Sequence, residues 1–145
     1  MESKITIFSV VDVIEALSGG TLGGGNLCMM DNSPLESLNQ GTTELCTKCY
    51  PGQEIYWHML ALDVQTPVAI RNITFISTHG HEEQALPIEN TEDTQSDNLH
   101  LKVWSGVVPY SMLPNVPYRY RFEVQAYEGV NSIMSVDTPS LMRVM

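Results

Sequence analysis

The most regular pattern of apolar and polar positions lies between Tyr118 and Tyr127, where the two kinds of side chain alternate. The apolar positions are Tyr118, Tyr120, Phe122, Val124 and Ala126. The polar positions are Arg119, Arg121, Glu123 and Gln125. Because successive side chains of a strand point to opposite faces of its sheet, this alternation predicts a half-buried antiparallel β-strand. A helix would spread the same aromatic rings around its circumference.

Short β-forming segments recur along the rest of the chain, many of them separated by glycine, proline or asparagine. The predicted strands are Lys4–Val11, Asn26–Asp31, Thr42–Tyr50, Glu54–Leu62, Val68–Ser77, Leu99–Trp104, Asn131–Val136 and Leu141–Val144. About eight or nine short strands at this spacing are typical of a sandwich or a barrel. We therefore expect an all-β fold, a two-sheet antiparallel β-sandwich forming one domain over residues 1–145. Jelly-roll and immunoglobulin-like topologies are both compatible with this pattern.

Three segments depart from the strand pattern. Val11–Leu17 favours a short helix, which Ser18-Gly19-Gly20 ends. Ser18–Gly25 is rich in glycine, and His79–Asn98 is polar and acidic. Both are predicted to be loops. A loop of about 20 residues is uncommon in a compact domain and is either functional or mobile.

The acidic composition narrows the choice of partners. Seventeen acidic residues against seven basic ones give a net charge of -10. Such a surface repels phosphate groups, so we expect no nucleic-acid partner and no membrane partner. The N-terminus lacks the layout of a signal peptide. We therefore expect a cytoplasmic protein whose three cysteines, Cys28, Cys46 and Cys49, are free thiols.

Cys46-Thr47-Lys48-Cys49 has the C-x-x-C spacing that binds zinc or carries out redox chemistry in other proteins. The chain has no second C-x-x-C pair and no H-x3-H pair to complete a zinc site. On a strand, residues three apart point to opposite faces, so the two thiols do not easily share one metal. We interpret them as structural and expect no cofactor.

The densest cluster of ligand-like side chains contains His79 and His81, which stand beside Glu82 and Glu83. Their nitrogen and oxygen donors suit a divalent metal, which leaves a metal-dependent enzyme as an alternative. The carboxylates that follow suit calcium, but their spacing matches no calcium-binding loop. We favour a solvated loop without a bound metal.

No catalytic motif accompanies these residues. The chain has no G-x-S-x-G nucleophile elbow, and its glycine-rich segment lacks the lysine of a phosphate-binding loop. We therefore expect that the protein is not an enzyme.

A binding site is the remaining alternative. Trp104 is expected to be exposed, whereas Trp57 is expected in the core. The candidate binding residues are Trp104, His79, His81 and Asp97, because an exposed aromatic face beside polar groups stacks on a sugar or a peptide. Such a site would make the protein a lectin-like module with a glycan ligand.

Eight methionines are many for 145 residues. Methionine fills irregular gaps in a core and adapts at contact surfaces. Open sheet edges also favour association unless they are charged or covered. The methionine content therefore indicates a plastic core or self-association, and we expect a homo-oligomer.

Several short motifs follow one another in a distinctive order. They are Val11-Asp12-Val13, Asn26–Met30, Gly41–Leu45, Pro51–Trp57, Trp104 and Tyr118–Tyr127. In this order, and in its G-T-x-x-L and G-D/Q-x-I/V-x-W strands, the chain resembles the PixA/AidA inclusion-body protein family of bacteria. The acidic loop has no counterpart in that pattern.

The resemblance implies a bacterial protein that is made in bulk, stored in cytoplasmic inclusions and linked to a population-dependent or host-interacting lifestyle. It implies no catalytic residues. We therefore expect a non-enzymatic, inclusion-body-type protein that self-associates or is stored in bulk. A carbohydrate-binding β-sandwich is the alternative.

Overall fold

The computed structural model describes residues 4–62, 68–76, 89–90, 104–126 and 133–144, with residues 89–90 described by their backbone alone. Over these residues the chain forms ten strands and one short helix. In chain order the elements are β1 (Lys4–Val11), α1 (Val13–Gly19), β2 (Leu27–Asp31), β3 (Cys46–Cys49), β4 (Glu54–Ala61), β5 (Val68–Phe75), β6 (Glu89–Asn90), β7 (Trp104–Val107), β8 (Pro117–Ala126), β9 (Ile133–Val136) and β10 (Ser140–Arg143).

These strands form two sheets. In the first sheet the strand order is β2-β1-β4-β7-β6, and in the second it is β3-β10-β8-β5. β9 also pairs with β8, on the edge of β8 that faces away from β5. The two sheets pack against each other, which confirms the predicted all-β, two-sheet sandwich.

The sheets are mixed, whereas the sequence analysis expected purely antiparallel ones. β1 runs parallel to β4, and β10 runs parallel to β3. Alternation along a strand carries no information about strand direction, which depends on how the chain crosses between sheets. The Pro51-Gly52 turn is an example, because it leads from β3 in the second sheet to β4 in the first instead of closing a hairpin.

The two best local patterns in the sequence form the elements that they predict. In β8 the apolar positions from Tyr120 to Ala126 are buried, and the polar positions between them are partly exposed. The helix begins at Val13, two residues later than predicted, because Val11 completes β1 and Asp12 caps the helix. The Asp12 carboxylate accepts a hydrogen bond from the backbone N–H of Glu15. Gly20 ends the helix in the left-handed conformation, at φ 68°.

The centre of the core joins the two sheets through aromatic rings. Trp57 on β4 and Tyr120 on β8 are both fully buried, with ring centroids 5.7 Å apart in an edge-to-face arrangement. The Trp57 indole Nε1 donates a hydrogen bond to the Tyr120 hydroxyl at 3.1 Å. Burial raises the pKa of Tyr120, so the ring stays neutral. The predicted place of Trp57 in the core is therefore confirmed.

A buried polar contact joins the sheets near β3. The Thr47 hydroxyl, fully buried, donates a hydrogen bond to Asp31 Oδ2 on β2 at 2.7 Å. Cys46 and Cys49 flank Thr47 as buried free thiols, and Cys28 is a free thiol as well. Burial is the main cause that raises the pKa of Cys49 to about 12. A thiol with that pKa is unreactive at neutral pH.

Candidate functional site

Of the four residues predicted to bind a ligand, only Trp104 lies within the described residues; His79, His81 and Asp97 lie outside them. Trp104 is half-buried and packs against the core. It lies opposite Trp57 in the β4–β7 pairing, so the two rings share the inner face of the first sheet. Its indole Nε1 donates a hydrogen bond to the Ile70 carbonyl of the second sheet at 3.1 Å. The expectation that Trp104 is exposed is therefore wrong.

The predicted strand Leu99–Trp104 placed Trp104 on the same face as His100 and Lys102, which lie outside the described residues. Within those residues, β7 runs from Trp104 to Val107. The structure thus gives this indole a packing role between the sheets. Glycan binding by the other candidate residues stays a prediction, because those residues lie outside the described ranges.

In the described part of the chain, no group of three or more His, Cys, Asp or Glu side chains could hold a metal ion. The histidine and acidic segment predicted as a loop lies outside that part, except for residues 89–90, which form β6. Likewise, no helix in the described ranges is both long and apolar enough to cross a membrane.

The outer face of the first sheet carries an unusual set of side chains. On β1, Ile5, Ile7, Ser9 and Val11 point inward and are buried. The residues between them therefore point outward, and the same alternation holds on β2 and β4. We define the apolar patch by its six outward-facing residues on these three strands: Phe8, Val10, Cys28, Met30, His58 and Leu60.

Strand register makes the apolar patch continuous. Phe8 lies opposite Met30 on one side and His58 on the other. In the next row, Val10 lies between Cys28 and Leu60. The Phe8 and His58 rings stack, with centroids 5.7 Å apart. Six neighbouring side chains on three strands thus form two rows.

Three of these six side chains are exposed to solvent, and the other three are partly buried. Leu60 is 50% exposed, Met30 is 40% exposed and Phe8 is 39% exposed. Single exposed apolar residues are common on protein surfaces, but a continuous group of them marks a contact surface.

The apolar patch carries no acidic or basic side chain other than His58. Burial lowers the pKa of His58, which favours its neutral form at pH 7. The patch is therefore uncharged on a chain whose net charge is -10.

The other half of the same face is polar. Lys4 lies opposite Glu54, and Thr6 lies opposite Tyr56. The Tyr56 hydroxyl donates a hydrogen bond to Glu54 Oε2 at 2.7 Å, and this bond is the main cause that raises the pKa of Tyr56. Lys4 Nζ lies 4.8 Å from the centre of the Tyr56 ring. These contacts satisfy the charges of this half within the chain. The apolar patch beside it has no such polar contacts to satisfy.

The apolar patch is not among the features predicted from the sequence, although the sequence contains a sign of it. β1 has apolar residues at both alternating sets of positions, Ile5 and Ile7 on one side and Phe8 and Val10 on the other. Such two-sided strands are usually covered on both faces. Here the outer side is exposed.

The comparisons with known proteins give a family and a fold. Residues 3–130 match the model of a family described as a domain of unknown function, DUF8788. No protein of curated function matches the sequence. Among solved structures, the chain is similar to an inclusion body protein, PixA, from Burkholderia cenocepacia J2315, with a TM-score of 0.70 and 12% sequence identity. The similarity covers 99% of this chain and 94% of that one.

A laccase from Botrytis aclada matches at a TM-score of 0.28 and 14% identity, over 92% of this chain and 28% of that one, which is too low to support an argument. The resemblance to PixA/AidA proteins inferred from the sequence is thus confirmed at the level of the fold. The chain belongs to the DUF8788 family and has the same fold as the inclusion body protein PixA.

Proposed function

We propose that this protein is a non-enzymatic bacterial protein that self-associates and is stored in bulk, with the apolar patch as its self-association surface. The observation that carries this proposal is the uncharged apolar patch on a chain of net charge -10. The fold shared with a protein named as an inclusion body protein supports storage in bulk. A link to host interaction, implied by the family resemblance, is part of the same proposal.

Charge favours a second copy of the chain as the occupant of the apolar patch. Two copies of a protein with net charge -10 repel each other wherever their acidic surfaces meet. The apolar patch is a surface where two copies can approach without opposing carboxylates. A two-fold axis through the patch would place the same residues of both copies in contact, as in most homodimers.

The size of the apolar patch predicts weak association. Stable interfaces bury roughly 800 Å² on each partner and involve about 20–30 residues a side. The six residues of the apolar patch fall below that number. We therefore expect a monomer in dilute solution and assemblies at the high concentrations of a stored protein.

The test is light scattering coupled to size exclusion, run over a wide range of concentrations on the full chain and two variants. Leu60→Glu places a carboxylate in the apolar patch and is expected to reduce the rise of mass with concentration. Leu113→Glu is the matched control, because Leu113 is 60% exposed and lies outside the patch. The control is expected to associate like the unmodified chain.

Cys28 supplies a second measurement without any substitution. It is the half-exposed thiol of the apolar patch, whereas Cys46 and Cys49 are buried. Its labelling by a maleimide should slow as protein concentration rises. An unmodified chain that stays monomeric at all concentrations, or a Leu60→Glu variant that associates normally, would refute the proposal.

A further inference from the structure

The edges of the two sheets are protected to different degrees. The outer edge of β2 is covered by its own loop, because Gly41 N–H donates to the Met29 carbonyl at 2.7 Å. The outer edge of β3 is covered by the segment before it, since Leu38 and Cys46 exchange backbone hydrogen bonds of 3.0 and 2.9 Å. These contacts prevent both strands from pairing with another chain.

The outer edge of β5 is blocked in another way. A bulge between Ile70 and Asn72 breaks its register with β8. The Trp104 indole N–H already donates a hydrogen bond to the Ile70 carbonyl. The Asn72 side chain accepts a hydrogen bond from the backbone N–H of Ile73 at 3.0 Å. A bulged strand whose polar groups are already bonded is a poor template for a new strand.

The strand β9 lacks such protection among the described residues. It pairs with β8 from Gln125–Ile133 to Phe122–Val136, and no described residue pairs with its other edge. Its sequence, Ile133-Met134-Ser135-Val136, contains no charge and no proline. β9 therefore lacks the charges and the proline that keep many edge strands from pairing with another chain.

No described residue occupies the position beside β9, because the segment before β3 turns away from it. β3 lies parallel to β10, so an extension of β3 toward the N-terminus would run along β9. Asn39 and Gly41 instead adopt left-handed conformations, with φ of 63° and 85°. They direct this segment toward β2, where the Gly41 N–H donates a hydrogen bond to the Met29 carbonyl. Within the described ranges, the edge of β9 is thereby left open over its four residues.

The hydrogen bonds of β8 show which groups of β9 point outward. Tyr120 N–H donates to the Pro139 carbonyl on the β9 and β10 side, and the Arg119 carbonyl accepts from Ile76 on the β5 side. The N–H and C=O groups of even-numbered residues of β8 therefore point toward β9. There, Phe122 pairs with Val136 and Val124 pairs with Met134. The N–H and C=O groups of Ile133 and Ser135 consequently point to the open edge.

We propose that β9 of a second copy fills this position, antiparallel and related by a two-fold axis, as a second interface separate from the apolar patch. This inference rests on the proposed function in taking a second copy as the occupant. Pairing of Ile133 with Ser135 of the second copy forms about four backbone hydrogen bonds. It keeps Met134 and Val136 on the inner face of both copies and opposes no charges.

Charge near the edge also permits this pairing. Among the described residues, the carboxylates beside β9 are Asp137 and Glu123. Asp137 has Arg119 beside it, with Nη2 3.7 Å from Oδ1, and Glu123, which lies opposite Ser135, pairs with Arg71 at 2.7 Å. Across an antiparallel pair, the two Asp137 residues lie at opposite ends of the contact. A second copy therefore meets an uncharged strand whose described acidic neighbours are already paired within the chain.

Two different interfaces allow assemblies that one interface does not. A single two-fold interface closes at a dimer, whereas two different ones on the same chain allow assembly beyond a dimer. The apolar patch lies on the first sheet and β9 lies in the second, so both can be occupied together. Assembly beyond dimers accounts for storage in bulk better than dimers do.

The test compares Ser135→Pro with Ser135→Ala on the full chain. Proline removes the outward N–H of residue 135 and is tolerated on an edge strand, whereas alanine retains that N–H. Light scattering should show Ser135→Pro stopping at a dimer, while Ser135→Ala grows like the unmodified chain. With Leu60→Glu added, Ser135→Ala should form dimers and Ser135→Pro should stay monomeric at every concentration.

The two proposals fail in different ways. If Leu60→Glu has no effect on association while Ser135→Pro still limits the size of the assemblies, self-association through the apolar patch is refuted and the β9 interface is supported. If Ser135→Pro assembles like Ser135→Ala, the edge interface is refuted. Amide hydrogen exchange on the unmodified chain gives a check that needs no variant. The Ile133 and Ser135 amides should become protected as concentration rises, and unchanged exchange would overturn the inference.

Discussion

The outer faces of the two sheets differ in how they meet water. In the second sheet, β8 presents Arg119, Glu123 and Gln125 outward, and Glu123 pairs with Arg71 at 2.7 Å. In the first sheet, the apolar patch presents Phe8, Met30 and Leu60 with no charge among them. Both sheets bury their inner faces against the same core.

The contrast shows how far the strand pattern alone predicts whether the outer face of a sheet is solvated or covered. An alternating strand such as β8 belongs to a face that is already solvated. A two-sided apolar strand such as β1 predicts a covering element, and the chain itself leaves the patch exposed. The first sheet is therefore the face where we expect intermolecular contact, and the following predictions test the difference between the two faces.

The largest effect is expected from truncating one phenylalanine in each environment. Phe122 on β8 is fully buried, so Phe122→Ala should lower the free energy of unfolding by about 3–5 kcal/mol. Phe8→Ala, on the exposed patch, should cost less than about 1 kcal/mol and should weaken association instead. Urea unfolding and light scattering of both variants measure the two quantities. A large loss of stability in Phe8→Ala would show that the patch is part of the core.

Much of this fold is predictable from local sequence. The alternation in β8, the Asp12 cap and the buried Trp57 need only neighbouring residues to be recognised. Pairing between distant strands is different, because it depends on tertiary contacts that no local pattern encodes. The parallel β1–β4 pair and the turn at Gly41 were missed for this reason, and with them the continuity of the apolar patch and the open edge of β9.

Salt should affect the two faces in opposite directions. Salt screens the repulsion between copies of net charge -10, and it also weakens the exposed Arg71–Glu123 pair. Raising the salt concentration from about 0.05 M to about 0.5 M should therefore increase the mass measured by light scattering severalfold at a fixed protein concentration. Association through charged surfaces would instead weaken in high salt, and that result would contradict an interface at the apolar patch.

Acidification should weaken association through His58. Burial lowers the pKa of His58, so the folded chain binds its proton less readily than the unfolded chain. The contribution of neutral His58 is thus fully present above the ordinary pKa of 6.5 and is lost as pH falls below it. Protonation also places a cation beside Phe8 in the apolar patch.

The measurement is light scattering between pH 8 and pH 5, roughly. His58→Gln is the control, because glutamine does not titrate while Tyr56 and Leu60 on the same strand stay unchanged. At the acidic end of this range the unmodified chain should associate less than the variant, because only the unmodified chain gains a cation in the apolar patch. Equal pH dependence in both would assign the effect to the carboxylates and not to His58.

The smallest effect is expected on the charged face. Arg71 and Glu123 form an ion pair whose side chains are 46% and 21% exposed. Because such partly solvated pairs contribute about 0–1 kcal/mol, Glu123→Gln should change the free energy of unfolding by less than about 1 kcal/mol. It should leave self-association unchanged, since β8 presents this residue on the opposite sheet from the apolar patch. Urea unfolding and light scattering test both statements. A loss of association in Glu123→Gln would mean that the second sheet also contacts other copies through its outer face, and the contrast between the two faces would no longer hold.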